Sequence, residues 1–135
     1  MHYAKHLHSV CSSVQMTSHC GIDLSVLPYT PLTLPFELLT FDLNEFDMGE
    51  IPSYLDQSRA VHVNATDIGE VHALIYWFDL YLTPDIKVST ADSKYHFTQA
   101  AIIQKEPLEV STGSSIKVDA VCVNNCLHAK LALVE

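Results

Sequence analysis

A chain of 135 residues with 16 acidic and 7 basic side chains carries a formal charge of -9. That argues against phosphate backbones and anionic membrane surfaces, which are held by clustered Lys and Arg. Hydrophobic residues make up 48% and charged residues only 17%, which excludes a disordered chain and fits one core-forming domain.

Residues 1–21 are polar, rich in histidine and without clear periodicity, and are expected to be a poorly ordered N-terminal segment. They contain no apolar run of signal-peptide length. The expected location is therefore the cytoplasm, with the nucleus also open to it. In such a reducing compartment Cys11, Cys20, Cys122 and Cys126 read as free thiols. The domain proper is expected to cover residues 22–135. Leu24 to Leu27 and Leu32 to Leu43 look like short strands punctuated by Pro28, Pro31 and Pro35, which lack ladder donors and suit edges or bends. Asn44 to Leu55 reads as a loop.

Arg59 to Thr66 alternates as a strand, and Thr66-Asp-Ile-Gly69 is a turn into the most informative stretch, Glu70 to Leu82. That stretch has no glycine or proline. Val71, Ala73, Ile75, Trp77 and Tyr81 fall on one side; Leu74, Tyr76, Phe78 and Leu80 fall on the other. A strand apolar on both faces is expected inside a covered sheet, or in a barrel packed against a second body.

Thr83-Pro84-Asp85 ends it, and further short strands follow at Ile86 to Thr90 and from Phe97 to Ile103. Thr112-Gly-Ser-Ser115 reads as a hairpin turn. Ile116, Val118, Ala120 and Cys122 then alternate with Lys117 and Asp119. After Asn124-Asn125, the residues Leu127, Ala129, Leu131 and Leu133 alternate with His128 and Lys130, so a second tight hairpin is expected. Roughly eight to ten strands and no long helix point to an all-β fold, a barrel or sandwich.

The chemistry is mostly defined by exclusion. Gly21, Gly49, Gly69 and Gly113 are far apart in sequence, so no P-loop or dinucleotide fingerprint exists. No Gly-x-Ser-x-Gly elbow is present. Cys122, Cys126 and His128 offer zinc-ligand chemistry, but Cys122 lies on the apolar side of its strand and reads as packing. Asp79, amid apolar neighbours, reads as a bonded rim carboxylate before it reads as a catalyst. His96 is more suggestive, flanked by Tyr95 and Phe97 after a loop, where aromatic rings can shape a pocket around an imidazole.

Val71-His-Ala-Leu-Ile-Tyr-Trp-Phe-Asp79, Val88-Ser-Thr-Ala91, His96-Phe-Thr-Gln99, Glu106-Pro-Leu-Glu-Val110 and Gly113 together resemble the C-terminal β-barrel of protein arginine N-methyltransferases. Leu34-Pro-Phe-Glu-Leu38 is similar to the strand entering that barrel. The resemblance covers roughly residues 22–135. It implies a parent enzyme in which a Rossmann-like domain binds S-adenosylmethionine and two glutamates on a hairpin grip the substrate guanidinium. The barrel walls the peptide side of the cleft, and a helical dimerisation arm leaves near its start.

By the same resemblance this chain is expected to hold neither the cofactor domain nor the glutamate hairpin, and to begin after the arm. The barrel's Thr-His-Trp loop corresponds here to Tyr95-His96-Phe97, which keeps the histidine and replaces its neighbours. Those three residues are the expected substrate-pocket loop, His96 hydrogen-bonding to position an active-site acid. No catalytic residue and no metal ligand is assignable, and no cofactor is expected in this chain. The expected partners are an arginine-rich protein or peptide and the missing cofactor domain. The chain is thus expected to be a barrel fragment, inactive alone. Alternatives are an acidic barrel that binds arginine-rich segments without chemistry, and a small zinc-bound β-protein.

Overall fold

The computed structural model describes residues 19–42, 56–92, 97–123 and 126–134. Among them are eight strands and no helix: β1 His19–Ile22, β2 Gln57–Asn64, β3 Gly69–Tyr76, β4 Asp79–Thr83, β5 Ile86–Ser89, β6 Gln99–Val110, β7 Ser115–Val123 and β8 Cys126–Val134. The all-β class is therefore as expected. The strands hydrogen-bond as three sheets, in the orders β1-β6-β3, β2-β7-β8 and β4-β5. The chain forms two compact units, Met1–Thr30 with His72–Pro107, and Pro31–Val71 with Leu108–Glu135.

In the second unit β7 is central because its alternation is the cleanest in the sequence. It runs antiparallel to β2, with Val118 opposite Val61 and Ile116 opposite Val63. On its other side Val118 faces Leu131 and Ile116 faces Leu133 in β8. Ile116, Val118 and Ala120 are each only 1% exposed. Full burial of the Ile116 and Val118 side chains is worth about 1.5–3 kcal/mol apiece. The register Val123 to Cys126 makes β7 and β8 the expected two-residue hairpin, although Asn124 and Asn125 lie outside the described residues.

The turn between β6 and β7 needs Gly113, whose φ of 86° is left-handed. Ser114 N donates to Ser111 O at 2.9 Å, and Gly113 N donates to Ala65 O at 2.8 Å. This is not a hairpin as expected, since β6 and β7 belong to different sheets. The stretch Leu32 to Leu43, expected as strands, makes one isolated bridge among its described residues, Thr33 with Ala65. Pro31 and Pro35 withhold two ladder donors there, so the segment is held by scattered bonds. Thr66 N donates to Leu32 O at 2.8 Å, and Arg59 pairs with Glu37 at 2.8 Å. The Leu32 side chain also lies against Gly69, where an added Cβ would stand 3.2 Å from it.

In the first unit β1 pairs antiparallel with β6, from His19 opposite Ile102 to Ile22 opposite Gln99. It begins inside the stretch expected to be a tail; residues 1–18 lie outside the described part. Cys20 is disulfide-bonded, so of the described cysteines only Cys122 and Cys126 are the free thiols expected. Leu24 to Leu27 is a turn and not a strand, because Asp23 O accepts from both Val26 N and Leu27 N.

The largest correction concerns Glu70 to Leu82, which is two strands and not one. Phe78 N donates to Thr90 Oγ1 at 2.9 Å, and Thr90 N returns a bond to Phe78 O at 2.8 Å. That reciprocal pair spends both backbone groups of Phe78 on closing the β4–β5 hairpin, so β3 ends at Tyr76. Strand β3 is partly covered on both faces, with Leu74 the innermost, whereas every residue of β4 is exposed.

Replacing Ile116 with alanine is expected to lower the unfolding free energy by about 2–5 kcal/mol. Val121→Ala, on the outer face at 43% exposure, should change it by less than about 0.5 kcal/mol. Urea denaturation of both variants reads the difference, and equal losses would contradict the assignment of faces.

Candidate functional site

The unit containing β1 holds a pocket of roughly 380 Å³ whose walls include Asp23, Ser25, Tyr29, Trp77, Phe97 and Gln99. Each arrives by a local cause. Asp23 leaves β1 and organises a turn in which its Oδ1 accepts from Ser25 N at 2.9 Å and Ser25 Oγ at 2.6 Å. A short Asp side chain closing on the residue two positions ahead is an Asx turn. Trp77 stands in the break between β3 and β4, and Phe97 comes just before β6.

Gln99 opens β6 and is 5% exposed, the one buried polar residue among those described. Burying an amide without partners costs on the order of 2–7 kcal/mol, and Gln99 avoids this. Its Oε1 accepts from Leu24 N at 3.0 Å, while Nε2 donates to Thr90 O at 2.5 Å and Phe97 O at 2.8 Å. One side chain thus ties the Asp23 turn, the end of the β4–β5 hairpin and the Phe97 segment together behind the pocket.

Beside it, the β4–β5 hairpin is amphipathic by register: Asp79 faces Ser89 and Tyr81 faces Lys87, while Leu80 faces Val88. Asp79 Oδ2 pairs with Lys87 Nζ at 2.8 Å, and its Oδ1 accepts from Ser89 Oγ at 2.6 Å. Lys87 also sits 5.6 Å from the Tyr81 ring centre. Partial burial would raise the Asp79 carboxyl, but hydrogen bonds from Lys87 and Ser89, the Lys87 charge and the Trp77 side chain outweigh it and hold it below its ordinary value. The hydrogen bond to Asp79 outweighs desolvation at Lys87 and raises its ammonium. Asp79 is thus a bonded structural carboxylate, as its surroundings in the sequence suggested.

Of the expected pocket loop, Tyr95 and His96 lie outside the described residues. Phe97 is described, half exposed, and shares the pocket with Trp77 and Tyr29. Cys122, Cys126 and His128 do not converge. Cys122 is on the buried face of β7, whereas Cys126 and His128 stand opposite Val123 and Val121, on the other face. Burial, with smaller contributions from Asp56 and Cys126, pushes the Cys122 thiol up.

Sequence reasoning gave no site role to Asp23, Tyr29 or Gln99. The Asp-x-Ser spacing of Asp23 and Ser25 was a readable turn signal, masked by the apolar Leu24, Val26 and Leu27 around it. Nothing local marked Gln99 as buried.

The profile of the family described as "Arginine methyltransferase oligomerization subdomain" matches residues 5–131, and the chain belongs to that family, as a C-terminal barrel module of the arginine methyltransferases. It is similar to Protein arginine N-methyltransferase 9 of Homo sapiens, with 34% identity over 96 residues, covering 70% of this chain and 10% of that protein. The Mus musculus protein of the same name gives the same figures, 34% over 96 residues. That of Xenopus laevis is 28% identical over 120 residues, covering 87% of this chain. The chain spans between 10% and 14% of the length of these relatives.

Gln99→Leu, close in size but unable to hydrogen-bond, is expected to destabilise the chain by about 1–3 kcal/mol by orphaning Leu24 N and two carbonyls. Urea unfolding measures the loss, and faster amide exchange at Leu24 localises it.

The pH dependence of the hairpin follows from the signs. Asp79 is lowered from 3.8, so its contribution is complete above that value and fades as pH falls through the lower folded one. Lys87 is raised from 10.5, so its contribution is intact below that value and is lost only as pH rises through the higher folded one. A carboxyl NMR titration of Asp79 should show a midpoint below 3.8 that moves upward in Lys87→Met. An unmoved midpoint would remove the ion pair as its cause.

Proposed function

We propose that this chain is the substrate-side β-barrel of an arginine methyltransferase and does not transfer methyl groups by itself. The family match over residues 5–131 carries this reading. The parent reaction moves a methyl group from S-adenosylmethionine to an arginine side chain of a protein. This requires a cradle of backbone N–H groups for the cofactor and carboxylates that hold the guanidinium.

The described residues of this chain do not fit that cofactor. Among the described glycines, Gly21 lies in β1, Gly113 in the turn before β7, and Gly69 backs onto the Leu32 side chain. The chain's contribution is instead a wall. Its β4–β5 hairpin presents Phe78 at 63%, Leu82 at 61% and Ile86 at 52% exposure, an apolar surface of the kind that marks a binding partner. The proposed partner is a cofactor-binding methyltransferase domain, with a cytoplasmic or nuclear location.

A second reading is favoured by the charge of -9: the barrel docks arginine-rich segments without chemistry, drawn by long-range attraction.

Incubating the chain with radiolabelled S-adenosylmethionine and a Gly-Arg-rich peptide should give no methyl transfer, and label on the peptide would overturn the claim that the chain is inactive alone. Binding of the same peptide without cofactor, weakening from 50 to 300 mM salt by more than about tenfold, supports the second reading. Salt-independent or absent binding removes it.

A further inference from the structure

Residues 32–41 run beside β2 in a register anchored at both ends, yet they make a single bridge with it and no ladder. Thr33 bridges Ala65 in the antiparallel sense, and Thr66 N donates to Leu32 O at 2.8 Å. Continued from that bridge, the register sets Leu34 opposite Asn64, Phe36 opposite His62, Leu38 opposite Ala60 and Thr40 opposite Ser58. The far end agrees. Gln57 Nε2 donates to Thr40 O at 3.2 Å, next to the expected partner Ser58, and Arg59 pairs with Glu37 at 2.8 Å. In this register Arg59 and Glu37 share a face as a diagonal cross-strand pair.

The β2 backbone already faces the right way for the missing bonds. Ala65 N donates to Ser114 O, on the β7 side, whereas Thr66 N donates to Leu32 O. Successive N–H groups of a strand point to opposite sides, so those of Asn64, His62, Ala60 and Ser58 point toward residues 32–41. Among the described residues none of the four donates to that segment. The residues whose N–H groups would answer them, Leu34, Phe36, Leu38 and Thr40, all carry one. Pro35 holds φ near about −65°, short of the antiparallel strand value, and stops the ladder after Thr33.

We propose that residues 32–41 are a strap that closes onto β2 as an added strand, in the register fixed by Thr33, Glu37 and Thr40. Closed, it extends the three-stranded β2-β7-β8 sheet and seals an edge of the kind that otherwise pairs with other chains. Open, as here, its anchors keep it within reach. They are weak anchors, since the Arg59 and Glu37 side chains are 44% and 65% exposed and exposed ion pairs add little to stability. Closure leaves β7 undisturbed, because Arg59, Val61 and Val63 keep their pairing with Ala120, Val118 and Ile116.

Amide hydrogen exchange of the full chain, read residue by residue by NMR, tests the strap through the contrast between alternate positions of β2. Arg59, Val61 and Val63, on the β7 side, are the internal reference. Transient closure should slow exchange at Ser58, Ala60, His62 and Asn64 about tenfold or more below unstructured-chain rates. Glu37→Ala, at an exposed position, should lower that protection about threefold with the reference amides unchanged, and Pro35→Ala should raise it. Unstructured-chain rates at Ser58, Ala60, His62 and Asn64 overturn the strap, as does protection that either variant leaves unmoved. Equal changes at the reference amides also overturn it, because they report unfolding of the whole sheet.

Discussion

A buried amide must find its hydrogen bonds inside the protein, and in the unit containing β1 that requirement is concentrated on Gln99. It starts β6 opposite Ile22, where the strand enters the apolar core with Ala101 and Ile102. Its three bonds reach Leu24, Thr90 and Phe97, segments that are distant in sequence or irregular in backbone. The turn after β1, the close of the β4–β5 hairpin and the Phe97 approach are aligned by one side chain, and the pocket is what stands in front of it. Among the described residues no buried side-chain nitrogen or oxygen lacks a partner, so this arrangement carries no polar penalty.

The β4–β5 hairpin is built on a different balance. Its polar face closes on itself through Asp79, Lys87, Ser89 and Tyr81, and its apolar groups are left outward. Surface ion pairs add little to stability, commonly less than about 1 kcal/mol. Their consequence here is chiefly geometric, since the reciprocal bonds between Phe78 and Thr90 and the pair at Asp79 keep a two-stranded ribbon in register. Phe78 and Leu82, at 63% and 61% exposure, make an apolar surface of the kind found at interaction sites. That agrees with membership in a family whose description is an oligomerization subdomain.

How much of this was legible depended on the range of the forces involved. Alternation in Ile116, Val118, Ala120 and Cys122 was readable, because period two follows from backbone pleating alone and β7 is buried on one face only. The Asn124-Asn125 hairpin was readable for the same local reason, and its flanking register agrees. Glu70 to Leu82 misled, since apolar composition cannot reveal where a strand changes partners. The break came from Thr90, whose side chain and backbone both close on Phe78. Leu32 to Leu43 misled in the opposite way, with apolar runs whose prolines left one bridge among the described residues.

The sequence by itself determined an acidic, all-β, arginine-methyltransferase-type module, because composition, strand period and motif are properties of neighbouring residues. Only the tertiary structure decided that the long apolar stretch is two strands, that Asp79 is engaged with Lys87, and that Asp23, Tyr29, Trp77, Phe97 and Gln99 share one pocket. Those facts depend on which distant segments satisfy each other's polar groups. Hydrogen bonding between residues such as Leu24 and Gln99 leaves no local trace in the chain.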